Sequence, residues 1–570
     1  MRFTFPIVQA SVLVAFASIA IGQDLPTRSS LEMAARIDVL LNEKLDALGW
    51  QAAGPCSDAS FIRRAYLDLT GVPPTGSEAL DFIQQESVDK RSQLIERLIA
   101  SPNYSAHLAA TWMQWLVPEQ ASALPFGRPN GLQDWLRQRF AENLRYDRLA
   151  ADLLVSSGSI ESGPTAFFVA LESKPEKIAA RTARVFMGVQ LDCAECHDHP
   201  FDQWSQRDFW GFAAYFAQLS TNGTDPLMQS GEVTDVNEGE VQLPGTEEEI
   251  APKPLVRTGL SGISLGTRRQ QLTLWLTAKE NPFLARATVN RVWSLLMGRG
   301  LVEPIDDMRS LEHASHPQLL QELADYFAAT GYDLRNLLRT IATTQAYSRN
   351  TIHPSGAAPE ASYAVMETKP LTETQLAASV AQVARQFGDG SEQTKALLAT
   401  QLGKLRGDAS EAKLGIVNAL VTLHGDLLDG VSREGSSRLL RALDAPHLDQ
   451  RNKIRWLFLT TLNRVPSADE EAAFSEQVSR MENSVPTPRT TTPDSNSSQS
   501  QAVAGDVPEA TSQAESASEL VEIAATAVEP ETQNVSAPQD PSQQRRISEL
   551  EWQSDLLWAL LNSSEFAMTP

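Results

Sequence analysis

The sequence predicts a mostly α-helical protein, with two helical domains joined by an irregular, β-containing acidic connector and a disordered insertion near the C-terminus. Apolar residues recur at the helical period of 3.6 over most of the 570 residues. Strand-like alternation is confined to residues 227–265, and residues 484–542 contain no aromatic side chain. A chain of this length exceeds what one hydrophobic core usually holds, so several domains are expected.

These observations divide the chain into six segments. We predict a signal peptide over residues 1–22, a helical domain over 23–218, an acidic connector over 219–262, a second helical domain over 263–483, a disordered insertion over 484–546, and a terminal helix over 547–570 that packs on the second domain.

The first residues are typical of an export signal. Met1 and Arg2 form a positive start, and an apolar run follows up to Ile21. Small residues at positions 20 and 22 suit signal peptidase, so we expect cleavage after Gly22 and an exported mature protein, periplasmic or at the cell surface. In the alternative the segment stays uncleaved, and it is then the protein's one contact with a membrane.

Helix signals follow along most of the chain. Ser29 with Glu32, and Thr75 with Glu78, have the spacing of capping boxes, and Asp58 is the expected cap of a helix over 61–69. Further helical patterns cover residues 132–155, 175–188, 268–278, 283–297, 316–329, 333–345, 371–387, 409–425 and 449–463.

The negative charge is concentrated in two stretches. The formal net charge is -23, and residues 221–250 contain eight carboxylates without any Lys or Arg. Residues 484–542 contain nine carboxylates and one base, Arg489. This balance argues against a nucleic-acid partner, which requires a basic surface. Because both stretches lack apolar periodicity, we interpret them as solvated linkers rather than as a docking face for a cationic partner.

Deletion of residues 487–539 tests the predicted insertion. Since this segment has almost no apolar surface to bury, its removal is expected to change the melting temperature by only about a degree or two. Differential scanning calorimetry of the deleted and full-length chains measures this. A fall of many degrees would show that the segment packs against the folded domains.

One segment carries the residue types of a cofactor site. Cys193, Cys196 and His197 have the C-x-x-C-H spacing of c-type haem attachment, in which two thiols add to the vinyl groups and the imidazole ligates the iron. Export supports this interpretation, because this attachment takes place outside the cytoplasm. Met228, Met297 and His107 are distant residues that could supply a second axial ligand.

Three other interpretations of this segment stay open. Cys193, Cys196, His197 and His199 could bind zinc, although adjacent ligands strain a tetrahedral shell. The two cysteines could form a disulfide or redox dithiol, or they could be purely structural. Asp198 and Asp202 could orient an imidazole through its free N–H, or cap helices. Cys56 is expected to be a buried free thiol, and three cysteines exclude a disulfide-scaffold fold.

Several strings resemble the planctomycete secreted cytochrome-associated family, a cytochrome C-like domain of unknown function followed by its partner domain of unknown function. They lie at Phe61–Thr75, Gly188–Phe201, Trp204–Phe212, Glu280–Arg286, Val289–Trp293, Gly298–Val302, Ser315–Pro317, Lys369–Thr372 and Leu557–Phe566. The resemblance covers most of the mature chain. It implies the family and export, and it leaves the chemistry open.

Two classes of function follow from the sequence. In the first, the protein is an exported c-type haem or metal-dependent redox protein with a redox partner. In the second, it is a non-catalytic helical module that binds a cell-surface protein, linked to polysaccharide breakdown, with a structural C-x-x-C-H segment. The motifs H-E-x-x-H and G-x-x-x-x-G-K-[ST] do not occur, so zinc-protease and P-loop chemistry are not expected.

Overall fold

The computed structural model describes residues 28–118, 130–160, 163–225, 230–259, 266–308, 311–384, 438–445, 447–484 and 541–570. The predicted signal peptide, residues 485–540 of the predicted insertion and the helical pattern over 409–425 lie outside these ranges. Most described residues are helical and the strands are short, which confirms the predicted fold class.

The helices follow the predicted order. The first ten are α1 (Ser30–Leu48), α2 (Asp58–Thr70), α3 (Gly76–Gln84), α4 (Lys90–Ile99), α5 (Pro102–Leu116), α6 (Asn130–Ala141), α7 (Tyr146–Leu154), α8 (Ala166–Ala170), α9 (Pro175–Thr182) and α10 (Gln206–Ala213). The later helices are α11 (Arg268–Leu276), α12 (Phe283–Met297), α13 (Pro317–Ala329), α14 (Leu334–Ala342), α15 (Glu373–Ala384), α16 (Arg438–Leu443), α17 (Gln450–Thr461), α18 (Ala468–Ser484) and α19 (Pro541–Leu561).

The strands form three small antiparallel sheets. They are β1 (Gly158–Ser159), β2 (Leu219–Asp225), β3 (Ser230–Asp235), β4 (Val241–Gln242), β5 (Glu249–Ile250), β6 (Lys369–Pro370) and β7 (Met568–Thr569). The strand order of the first sheet is β1-β3-β2, while β4 pairs with β5 and β6 pairs with β7. Among the strands that the structure describes, β2 to β5 lie in the connector, where the sequence predicts β structure.

Local signals account for several helix starts. Ser29 with Glu32 and Thr75 with Glu78 form complete capping boxes, as predicted. The cap of α2 is Ser57, so the prediction of Asp58 at this position is wrong. The Asp58 carboxylate instead forms ion pairs with Lys90 and Arg91 of α4 at 2.7 and 2.8 Å.

The acidic connector is bound to the folded body by ion pairs. The Asp235 carboxylate lies 2.7 Å from Nε of the buried Arg269, and Glu240 and Glu248 pair with Arg268 and Arg207. The interpretation of this stretch as a solvated linker is therefore wrong for Asp235, whereas Glu248 and its partner Arg207 are both exposed. The arginine partners of the three carboxylates lie outside the acidic stretch, in α10 and α11.

Two large hydrophobic cores organise the described residues, and a small third cluster of Ala214, Val241, Leu243 and Ile250 lies at the connector. The main core takes side chains from α1 through α14, on both sides of the connector. The second core contains Leu67 of α2 together with side chains of α15 to α19. The terminal helix α19 thus packs on α17 and α18. This helix begins at Pro541, so the predicted disorder of residues 541–546 is wrong. The main core is continuous across the connector, and the other predicted domain boundaries stay predictions.

Helix α2 lies between the two cores. All ten residues from Phe61 to Thr70 are buried, with Phe61 in the main core and Leu67 in the second core. A helix buried on every side is expected to be apolar all round. The buried part of this helix contains three charged residues, Arg63, Arg64 and Asp68, so each of them requires a partner inside the protein.

Candidate functional site

The C-x-x-C-H segment lies between α9 and α10. A π-helical turn over Ala183–Met187 continues α9 and ends at Gly188, whose φ of 66° is left-handed. A 3₁₀ turn over Asp192–Glu195 follows, and Leu191 and Ala194 anchor it in the main core with no exposed surface. π-helical turns are frequent beside functional sites.

Both thiols of the motif are accessible. Cys193 and Cys196 are free and exposed, whereas Cys56 is free and buried, as expected for it. Cys193 lies within the 3₁₀ turn, and Cys196 is the residue that directly follows this turn. Unpaired cysteines are among the most buried residues in proteins, so an exposed pair is not explained by packing.

The His197 imidazole is oriented by the backbone. Its Nδ1 lies 2.8 Å from the carbonyl oxygen of Asp198. A carbonyl only accepts hydrogen bonds, so Nδ1 carries the proton and donates. The lone pair on Nε2 is then available to a metal, which is the tautomer that ligating histidines adopt. The ring itself is exposed.

The neighbouring predicted residues have other partners. His199 is half-buried, and its Nδ1 accepts a hydrogen bond from the Phe201 amide at 3.3 Å. The Asp198 carboxylate accepts a hydrogen bond from the backbone amide of Gln206 at 2.9 Å. The Asp202 carboxylate accepts one from the backbone amide of the following residue at 2.7 Å. The imidazole is therefore held by the Asp198 carbonyl, and both carboxylates bind backbone amides instead.

Helix α10 holds the segment through its backbone. The Gln206 side chain donates to the carbonyls of Glu195 and Cys196 at 3.1 and 3.0 Å, and Trp210 Nε1 donates to Glu195 at 3.0 Å. Ser205 and Asp208 form a capping box that fixes where this helix begins. The turn is thus stabilised without the side chains of Cys193, Cys196 or His197.

The charge around the thiols is mixed. Glu195 is half-buried, and this burial, together with repulsion from Glu176 and Asp192, raises the pKa of its carboxyl above the usual value. Asp192 is paired with Arg184 at 2.8 Å. Arg184 also lies 3.4 Å from the carboxylate of Asp306, a residue that sequence reasoning did not connect with this segment.

No ready coordination shell is present among the described residues. Nowhere in those ranges do three or more His, Cys, Asp or Glu side chains converge as a metal ion would require. Met297 is buried in the main core and His107 is also buried, while Met228 lies outside the described residues. Haem attachment does not need such a shell, because the thiols bond to the porphyrin and only the imidazole binds the iron.

A second polar cluster was missed by sequence reasoning. Lys369 Nζ lies 2.6 Å from Oδ1 of Asp68, and the Tyr347 hydroxyl donates to Oδ2 of the same carboxylate at 2.9 Å. Arg63 donates to the carbonyl of Phe566 at 2.8 Å, and burial lowers the pKa of its guanidinium to about 10. The available signal was the presence of three charges within the apolar pattern of residues 61–69.

Two family models match the chain in the predicted order. PSCyt2, described as a protein of unknown function (DUF1549), matches residues 36–221. PSD1, described as a protein of unknown function (DUF1553), matches residues 268–401. The chain belongs to the family that combines these two domains. The PSCyt2 domain contains α2 and the C-x-x-C-H segment, and the PSD1 domain contains Asp306 and Lys369.

Other comparisons add no relative. No curated protein and no solved structure is significantly similar to the chain. Within the described ranges, no helix combines the length and the apolar character needed to cross a bilayer.

Proposed function

We propose that the protein is an exported electron-transfer protein that carries haem covalently on Cys193 and Cys196, with His197 as iron ligand. The observation that carries this proposal is the accessibility of both thiols, one within a 3₁₀ turn and one directly after it, followed by an imidazole whose Nδ1 is already engaged. Bound haem supplies one-electron transfer, with a potential set by the axial ligands and the surroundings.

The chain's own residues have separate roles in this proposal. Cys193 and Cys196 provide the two thioether sulfurs, and His197 provides Nε2. The Asp198 carbonyl holds the ring orientation through Nδ1–H, which also raises the basicity of the ligand. Gln206 and Trp210 keep the turn in place before any cofactor binds. The partner is then a redox protein in the same exported compartment.

The absorption spectrum of protein made in an exporting host with the haem-attachment machinery tests this proposal. The wild-type chain is expected to give a pyridine haemochrome α-band and a mass larger than the polypeptide by one haem. Cys193→Ser or Cys196→Ser leaves at most one thioether link. His197→Ala alters the Soret band while both links can still form.

Matched variants separate haem from zinc. His199→Ala is expected to leave the haem spectrum unchanged, because this residue has no role in attachment, whereas a zinc shell that uses His199 would lose its metal together with stability. Cys56→Ser controls for the loss of a thiol outside the motif. A wild-type protein without an α-band, with the mass of the bare polypeptide, ends the haem proposal.

One observation favours a second candidate, the helical binding or assembly module. The turn is fixed by α10 through backbone carbonyls, so the fold of the segment does not depend on any cofactor. In that case the protein is colourless, holds no stoichiometric metal, and tolerates the Cys193→Ser and Cys196→Ser substitutions with little loss of stability because both side chains are exposed.

A further inference from the structure

A loop of the PSD1 domain contacts the chain that leads into the C-x-x-C-H turn. The Met308 amide donates to the Gly188 carbonyl at 2.8 Å. The Gln190 side-chain amide donates to Oδ1 of Asp306 at 2.7 Å. The residues before the turn are therefore held by a domain other than their own.

Asp306 is connected to the turn itself through Arg184. The Arg184 side chain lies 3.4 Å from Oδ2 of Asp306 and 2.8 Å from Oδ2 of Asp192. Asp192 is the first residue of the 3₁₀ turn and directly precedes Cys193. One guanidinium thus joins the PSD1 loop to the residue next to the first thiol.

The PSD1 side of this contact is firmly held. Asn290 of α12 is fully buried, and its amide nitrogen donates to the carbonyls of Val302 and Ile305 at 2.9 and 3.2 Å. The adjacent Arg291 donates to the carbonyl of Arg184 at 2.6 Å. Helix α12 therefore fixes both the loop that carries Asp306 and the backbone that carries Arg184.

The charges make this arrangement sensitive to Asp306. The guanidinium groups of Arg181, Arg184 and Arg291 repel one another, and Asp306 offsets this repulsion at Arg181 and Arg291. Without the Asp306 charge, the Asp192 carboxylate still offsets the repulsion at Arg181, but Arg291 loses the carboxylate that offsets it there. Repulsion then favours a displaced Arg184 side chain, since like charges at short range disfavour one another.

We infer that the PSD1 domain completes the C-x-x-C-H site, with Asp306 as the positioning residue that holds the turn through Gln190 and Arg184. This inference rests on the site of the proposed function, but it concerns the turn and its thiols and holds with or without attached haem. In this inference the two family domains build one site, because the PSCyt2 domain carries the thiols and the PSD1 domain fixes the turn on which they lie.

Local hydrogen exchange in protein made without haem-attachment machinery tests the inference. Asp306→Asn keeps an acceptor for Gln190 and removes the charge. The amides of Val189 and Ala194, which donate to Ala183 and Leu191, are expected to exchange about tenfold faster in this variant. Glu360→Gln is the matched control, since it removes an exposed carboxylate that pairs with Arg299 elsewhere in the PSD1 domain.

Relative thiol reactivity supplies a readout that general destabilisation does not move. When Arg184 leaves Asp192, the turn loosens at Cys193 and its thiol becomes more accessible to a reagent, whereas the backbone of Cys196 stays held by Gln206. The alkylation rate of Cys193 relative to Cys196 is then expected to rise about threefold in Asp306→Asn and in Arg184→Gln, with no further rise in the double variant. Peptide mass spectrometry after brief iodoacetamide treatment measures this ratio.

The outcomes distinguish this inference from the haem proposal. Exchange and alkylation ratios that equal those of the wild type and of Glu360→Gln overturn the positioning role of Asp306. Faster exchange throughout the chain, with an unchanged alkylation ratio, overturns it as well, because the residue then serves overall stability alone. A wild-type protein that never attaches haem contradicts the proposed function and leaves both measurements valid.

Discussion

Replacement of Lys369 by methionine is expected to lower the free energy of unfolding by about 3–5 kcal/mol, the cost of leaving one partner of a buried ion pair alone. The Asp68 side chain is 3% exposed and that of Lys369 is 16% exposed. Methionine preserves the length of the side chain, so the loss reports the missing charge and hydrogen bonds more than a cavity.

The geometry explains why this effect is large. Lys369 Nζ binds Asp68 at 2.6 Å and also donates to the carbonyls of Leu295 and Leu296 at the end of α12, at 3.0 and 2.9 Å. Without the ammonium group, the Asp68 carboxylate keeps the Tyr347 hydroxyl as a hydrogen-bond donor but loses its closest positive charge. Two helix-end carbonyls lose a donor at the same time.

Urea denaturation followed by circular dichroism measures this loss. Lys253→Met is the matched control, because Lys253 forms an ion pair with Asp208 but is 56% exposed, and such surface pairs contribute about 1 kcal/mol or less. The double variant Asp68→Asn with Lys369→Met is expected to lose less than the two single losses combined, since neither residue then leaves a buried charge. A Lys369→Met loss as small as that of the control would contradict the interpretation.

The sequence predicted most helices because their signals are local. Residues 283–297 were predicted as a helix and form α12 with the same bounds. The pattern over 132–155 predicts one helix, but these residues belong to two helices, α6 and α7. The two helices are separated where Asn143 adopts a left-handed φ of 51°. An apolar period does not report a single residue that reverses the backbone.

The spacing of the motif predicts which residues form the site, but not which residues hold them in place. The positions of Cys193, Cys196 and His197 in the sequence are enough to suggest haem attachment. The role of the Asp198 carbonyl depends on the backbone path, which no residue type encodes. Asp306 is over 100 residues from the motif, and only tertiary packing brings it to Gln190.

The charges of α2 show the same limit. The pattern over residues 61–69 indicates a helix with an apolar face, and a charge within it is normally expected to point to solvent. Burial on both faces follows from the second core, in which Leu371 and residues that follow it pack around Leu67. Sequence distance between Asp68 and Lys369 hides their pairing, although each residue type alone indicates that a partner is needed.

Acidification from pH 7.5 to 5 is expected to destabilise the protein through two buried histidines. His107 and His316 are 9% and 5% exposed, and Nε2 of each has no hydrogen-bond partner among the described residues. Burial, together with the nearby Lys369, lowers the pKa of His107 to about 4, and burial together with the nearby Lys44 lowers the pKa of His316 to about 3.

The direction of the effect follows from where the protons bind. Above pH 6.5 both histidines are neutral in the folded and the unfolded chain, so they do not affect the pH dependence. Below pH 6.5 the histidines of the unfolded chain bind protons. In the folded protein the same histidines stay neutral until the pH reaches their lowered pKa, so the free energy of unfolding falls as the pH falls. Each histidine is expected to contribute roughly 2 kcal/mol of loss by pH 5.

Carboxylates with lowered pKa act in a different pH range. The ion pair with Arg36 holds the pKa of Glu322 near 2, and the pair with Arg464 does the same for Glu470. Their stabilising contributions are lost only as the pH falls below about 4.5. These two carboxylates therefore do not contribute to the change in stability between pH 7.5 and 5.

The substitution His316→Phe isolates one of the two histidines. Phenylalanine keeps a flat ring against Tyr363, whose ring centroid lies 5.4 Å away, and removes the titrating group. Its unfolding free energy is expected to fall between pH 7.5 and 5 by roughly 2 kcal/mol less than that of the wild type. The control is His313→Phe, because His313 is exposed in the same loop and meets solvent in both states. Equal pH slopes for His316→Phe and the wild type would mean that His316 is already protonated in the folded protein, and the burial argument for this residue would then fail.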